Sequence, residues 1–169
     1  MVERSLSATP FHWLGLFSVG FAVVIADQVT KQIVTSQLDL GDAVHVAGPL
    51  EIRHVTNPGI AFGLFSSWAS VVTALTAIAV GWMLFYFARA GARHPVLPVA
   101  LGLLVGGSLS NLIDRIRLGH VTDFLDLRFW PAFNLADTFI VVGVGILLVA
   151  LVSAERQPRL RRTAPKTSG

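Results

Sequence analysis

Four stretches of predominantly apolar residues, each near the length that crosses a bilayer, constrain this chain more than any other feature. The first runs from about Trp13 to Val29 and carries Asp27 near its end. The second covers about Trp68 to Ala88 without a charge, and the third, about Val96 to Ile113, begins at Pro95 and Pro98, residues suited to a helix start. The fourth spans about Ala136 to Ala154. Of the 169 residues, 53% are hydrophobic and only 14% charged, whereas soluble domains are about a quarter charged. The chain therefore reads as a mainly α membrane protein with four transmembrane helices. Arg4 ahead of the first apolar run evokes a cleaved targeting segment. That run is long for one, lacks a small-x-small cleavage site and precedes three further spans, so it is expected to be retained.

The length allows one integral membrane domain over residues 1–169, ending in a basic tail from about 155–169. The net charge of +3 is concentrated in that tail, at Arg156, Arg159, Arg161, Arg162 and Lys166. A basic cluster directly after an apolar span is expected to lie against anionic membrane lipids, so no nucleic-acid partner is predicted. Arg4, Arg89, Arg93 and the tail fall on one side of the four spans, and Lys31, Arg53, Arg115, Arg117 and Arg128 on the other. The positive-inside rule then places both termini in the cytoplasm. Two loops face outward, about residues 30–66 and 114–135. The first alternates polar and apolar residues over Ala43 to Val46 and Leu50 to Val55 before Asn57-Pro58-Gly59, which predicts a small β-sheet element in the first outer loop.

In the third span Gly102, Gly106, Ser110 and Asp114 recur every four residues, with Gly107 and Asn111 close by. Small residues on one helix face permit close approach of a neighbour in lipid, which accounts for the glycines. For Asn111 and Asp114 packing and function are both open. The chain has no cysteine, which removes disulfides and thiolate chemistry. His12, His45, His54, His94 and His120 show no ligand spacing, and no His-Glu-x-x-His, Gly-x-Ser-x-Gly or phosphate-binding glycine loop occurs.

Asp123 and Asp137, fourteen residues apart, lie ahead of and at the start of the last apolar span. An acid near a bilayer is a functional candidate by default, yet each has a structural account. Asn134 and Asp137 fit a variant capping box at a helix start, and Asp123, like Asp126, fits a solvated loop. If Asp123 and Asp137 face one another, two ionised carboxylates about 4 Å apart repel by about 4 kcal/mol at an effective dielectric of 20, and one proton is retained. Such a pair activates water with one member and polarises a carbonyl with the other. The helix start favours Asp137 as the ionised base. Paired acids also occur in small transporters and proton relays, and the glycine-rich helix alone would suit a noncatalytic scaffold. A Gly-x-Gly-Asp element, which marks one group of membrane aspartyl peptidases, is not matched by Gly41-Asp42.

Five blocks resemble lipoprotein signal peptidase, the bacterial type II signal peptidase, in order and spacing. They are Ala26-Asp27-Gln28-Val29-Thr30-Lys31, Thr56-Asn57-Pro58-Gly59-Ile60-Ala61-Phe62-Gly63, Ser110-Asn111-Leu112-Ile113-Asp114-Arg115, Val121-Thr122-Asp123-Phe124-Leu125-Asp126 and Trp130-Pro131-Ala132-Phe133-Asn134-Leu135-Ala136-Asp137. The resemblance implies a four-helix inner-membrane aspartyl endopeptidase that cleaves a prolipoprotein before a cysteine already carrying diacylglycerol. By motif, Asp123 and Asp137 match its catalytic pair. Asp27, Lys31, Asn57, Gly59, Asn111, Arg115, Asn134 and Ala136 match positions that support or line its site, and Asp114 stands among them as a further supporting candidate. The resemblance implies no metal or organic cofactor, a site complete in one chain and hence function as a monomer, near the periplasmic face. Ser108 and Ser110 stand where the family more often has Ala or Gly, and Ile60 where it often has Ala; neither departure falls on a catalytic carboxylate.

Overall fold

The computed structural model describes residues 9–58, 69–90 and 95–163. Helix α1 (Pro10–Gln37) opens with Pro10 in its first turn and Thr9 as N-cap. It does not stop near Val29, as hydropathy alone predicts, but continues two turns further. Lys31 is therefore a buried helical residue and not an outer-loop cation. The reason is electrostatic: one helical turn brings Lys31 onto Asp27, and the paired charges are carried inside together.

The hairpin expected from alternating residues forms as β1 (Ala43–Ala47) and β2 (Leu50–Asn57), turning at Gly48 with φ +55°. Helix α2 (Ala69–Ala90) leaves Leu75, Ile78, Trp82 and Phe85 exposed, an apolar surface suited to lipid. Phe87 is buried and meets the Trp13 ring edge-on at 4.9 Å. Helix α3 (Leu97–Leu118) has Pro98 in its first turn and runs beyond Ile113, so Asp114 and Arg115 are helical and not in a loop. It ends at Gly119, whose φ of +79° lets its N–H bond back to Arg115 O at 3.1 Å. Strand β3 (Val121–Asp126) and helix α4 (Leu135–Thr163) complete the chain.

The sheet is larger than predicted. β3 comes from the connection between α3 and the last helix and pairs antiparallel with β2, giving the order β1-β2-β3. Val55 lies opposite Asp123 and Asn57 opposite Val121. After β3 the chain turns and comes back along it, with Leu125 and Phe133 exchanging backbone hydrogen bonds at 2.8 and 3.0 Å.

Helix α3 is the centre of the helical part: 61% of its apolar window is buried, against 22% for α1 and 11% for α2. Its small residues make this possible. A methyl on Gly106 would meet Gly20 O of α1 at 2.6 Å, and one on Gly107 would meet Ala136 O of α4 at 2.6 Å. Gly102 similarly abuts Leu16 O. The predicted glycine stripe thus packs on α1, while Gly107 admits the start of α4. Helices α1, α2 and α3 are long and apolar enough to cross a membrane; the apolar part of α4 is the shorter Leu135–Ala150.

Candidate active site

The start of α4 builds the first half of the site. Asn134 Oδ1 accepts the Asp137 N–H at 3.0 Å, and Asp137 Oδ2 accepts the Asn134 N–H at 3.3 Å. This is the reciprocal cap that the sequence suggested. The cap leaves Asp137 Oδ1 free of the backbone, and it accepts from Asn111 Nδ2 of α3 at 2.8 Å. Capping and membership of a polar cluster are two aspects of the same side chain.

Asp123 supplies the second half from β3. Its Oδ2 accepts from Asn57 Nδ2 at 2.9 Å, and its Oδ1 from Asn134 Nδ2 at 2.8 Å. The β2–β3 register sets the first contact, because Asn57 and Asp123 are diagonal neighbours. The Phe133–Leu125 bridge sets the second by returning the chain so that Asn134 lies beside Asp123. Asn134 therefore touches both aspartates. Asp123 is 2% exposed, and burial pushes its carboxyl up to about 6. The Asn57 and Asn134 donors and the Lys31 charge oppose that rise, while the charge of Asp137 adds to it.

Beneath this pair lies a second cluster. Lys31 Nζ contacts Asp27 Oδ2 at 2.7 Å, Asp114 Oδ2 at 2.8 Å and Asn111 Oδ1 at 3.0 Å. Asp27, fully buried, also accepts from Ser110 Oγ at 2.7 Å and from the Ala136 N–H at 2.9 Å. Asp27 thus satisfies a backbone donor in the first turn of α4. Asp114 further accepts from Gln28 Nε2 at 2.8 Å and from the Thr122 N–H at 3.2 Å. Asp114 and Asn111, for which the sequence left packing and function open, are both engaged in this cluster.

Of the anticipated residues, Asp27, Lys31, Asn57, Asn111, Asp114, Asp123, Asn134, Ala136 and Asp137 converge. Arg115 joins through a hydrogen bond from Nη1 to Asn111 O at 3.4 Å. Ala136 takes part through its backbone. Gly59 and Ile60 lie outside the described residues. Gln28, Ser110 and Thr122 were not singled out as site residues, yet each binds a carboxylate of the cluster. The four-residue stripe ending at Asp114 was the signal for Ser110. Asp126 belongs elsewhere: Arg53 Nε holds it at 3.1 Å on the sheet, next to the Glu51–Arg128 ion pair. Among the described residues no three His, Asp or Glu side chains are grouped as metal ligands. An apolar groove of about 400 Å³ opens beside Asp137, walled by Phe129, Trp130, Phe133, Thr138 and Val141.

A family model described as signal peptidase (SPase) II matches residues 19–153. The chain belongs to the signal peptidase II family. It is similar to the lipoprotein signal peptidase of Symbiobacterium thermophilum, 40% identical over 145 residues that cover 82% of this chain and 95% of that protein. The lipoprotein signal peptidase of Pelotomaculum thermopropionicum is 41% identical over 139 residues, covering 82% and 91% respectively. Among solved structures, a bacterial membrane enzyme determined by the in meso method at 2.3 Å is similar with a TM-score of 0.78 and 30% identity, over 91% of this chain and 94% of that one.

As a signal peptidase II family member the chain is an aspartic endopeptidase and an integral membrane protein. The transporter alternative gives way to this assignment. A relay through the membrane needs acids distributed with depth, whereas Asp27, Asp114, Asp123 and Asp137 form one connected cluster through Lys31, Asn111 and Asn134.

Proposed function

We propose that this peptidase removes the signal peptide from diacylglyceryl-modified prolipoproteins, cutting before the lipidated cysteine with water activated by Asp123 and Asp137. The observation that carries the reading is Asn134, one residue that donates to both carboxylates, its side-chain NH2 to Asp123 Oδ1 and its backbone N–H to Asp137 Oδ2. Asp137, at a helix N-terminus with donors from Asn111 and the Asn134 backbone, is the ionised base that takes a proton from water. Asp123, the more deeply enclosed acid, carries the shared proton and polarises the scissile carbonyl. Attack gives a tetrahedral diol, and proton return to the leaving nitrogen releases the signal peptide.

The groove beside Asp137 suits the acyl chains of the substrate, since its walls are almost wholly apolar. In this reading α4 is the fourth span, both termini lie in the cytoplasm and the carboxylates sit near the outer face of the bacterial inner membrane. The lysine and arginine distribution supports that orientation. One chain contributes every group named, so the enzyme acts as a monomer.

The test uses purified protein in lipid vesicles with a precursor carrying or lacking diacylglycerol, and peptide release followed by mass spectrometry. Cleavage is expected only of the lipidated form; equal cleavage of both would remove lipid recognition from the proposal. The pH dependence follows from Asp123. Its carboxyl loses the required proton as pH rises through about 6, so kcat/KM is expected to fall about tenfold per pH unit well above that value. A rise in kcat/KM between pH 6 and 8 would contradict the proton assignment.

A further inference from the structure

Lys31 is buried, and its three contacts use all three of its N–H bonds. An ammonium has no lone pair. The Asn111 atom that faces it must therefore be the carbonyl oxygen, and the Asn111 NH2 group is left to face Asp137 Oδ1 at 2.8 Å. The same Asn111 oxygen accepts from Asn134 Nδ2 at 3.0 Å. That contact turns the Asn134 NH2 toward Asp123 Oδ1, while the Asn134 oxygen takes the Asp137 N–H. Two amides are thus ordered in series. Reversing Asn111, whose two amide orientations are nearly isosteric, would aim oxygen at the Asp137 carboxylate and NH2 at the NH2 of Asn134.

The ammonium is itself fixed from two sides. Asp27 is anchored by the Ala136 N–H and Ser110, and Asp114 by Gln28 and the Thr122 N–H. We infer that Lys31 is the positioning residue that sets the polarity of the Asn111–Asn134 amide chain, so that each member of the aspartate pair receives an N–H donor. This rests on the proposed roles of Asp123 and Asp137. Lys31 acts through Asn111 and is not assigned to the reacting atoms.

The structure also supplies a way to test the donor separately from the fold. Lys31 lines a cavity of about 290 Å³ with Gln32, His54, Asp114, Arg117 and His120, and neither Asp123 nor Asp137 lines it. A small amine can therefore reach the position of the lost ammonium without entering the groove beside Asp137. Lys31→Ala is expected to lower kcat by roughly 100-fold, the scale of a misplaced catalytic group, with KM changed far less. Ethylammonium should restore at least a tenth of that loss in a saturable way, whereas tetramethylammonium, charged but without N–H bonds, should not. Parental activity in Lys31→Ala, equal rescue by both cations, or no rescue of protein that retains its thermal unfolding transition would overturn the inference.

Where Lys31→Ala does not fold, Asn111→Asp decides. An ionised carboxylate at 111 cannot donate to Asp137, so activity relative to the parent is expected to be low at pH 7 and to climb toward pH 5 as that group is protonated. A loss relative to the parent that does not change with pH, or no loss, overturns the inference. Asp123→Asn and Asp137→Asn measured alongside separate the two readings. Parental cleavage in those variants removes the aspartate pair itself, while their inactivity beside an unrescued Lys31→Ala removes only the role of Lys31.

Discussion

Asp123→Asn and Asp137→Asn are each expected to reduce cleavage of a lipidated precursor by roughly 10⁴-fold or more, the scale seen when one member of a catalytic set acting as a unit is removed. The substitutions are nearly isosteric, so the backbone contacts of β3 and α4 are retained. What changes is the proposed chemistry: in that mechanism a neutral amide at 137 could not take a proton from water, and one at 123 could not hold and return the shared proton. Some loss of stability accompanies this. Both oxygens of Asp123 accept amide N–H groups, and both oxygens of Asp137 accept donors as well. An Asn NH2 at either position must face another donor, at a cost of about 1–3 kcal/mol. Thermal unfolding in detergent separates the two effects. A folded variant that releases signal peptide at the parental rate would sink the aspartate-pair mechanism.

The largest structural effect is expected at Asp27. Its carboxylate is fully buried and is bound by three donors, Lys31, Ser110 and the Ala136 N–H. Asp27→Ala leaves Lys31 with Asp114 as its one carboxylate partner in the cluster, orphans a backbone donor of α4 and opens a void. Breaking a buried pair from one side costs about 3–5 kcal/mol, a large part of a typical total stability of about 5–15 kcal/mol. A fall in Tm of roughly 10 °C or more is expected for a chain of this size. Asp27→Asn should lose less, since an amide oxygen still accepts the Ala136 N–H. An unchanged Tm in Asp27→Ala would show that Asp114 alone satisfies Lys31.

How much of this was legible in the sequence differs by element. The β1–β2 hairpin was readable because its residues alternate and are bounded by turn residues. Strand β3 was not, since Val121, Thr122, Asp123 and Phe124 are all buried and leave no period-two pattern. The last two turns of α1 were also hidden. Lys31 and Gln32 depress the local hydropathy, and nothing local reveals that Asp114, more than eighty residues later, neutralises Lys31. The cap at Asn134 and Asp137 was visible as a local motif. Its link to Asp123 was not, because that depends on Phe133 folding back on Leu125. The resemblance of five blocks gave site positions to most members of the cluster, but not to Gln28, Ser110 or Thr122, which lie within those blocks and whose contributions arise only where α1, α3 and β3 meet.

The bond from the Ala136 N–H to Asp27 joins residues 109 apart, and it bears on how the enzyme comes into being. During synthesis the first helix emerges with Asp27 and Lys31 long before α4 exists. A nascent chain therefore has neither the paired amides nor Asp137 until the start of α4 has been made. The polar cluster can close only after nearly the whole chain has been made, because its last members, Asn134, Ala136 and Asp137, join partners on α1, α3 and β3.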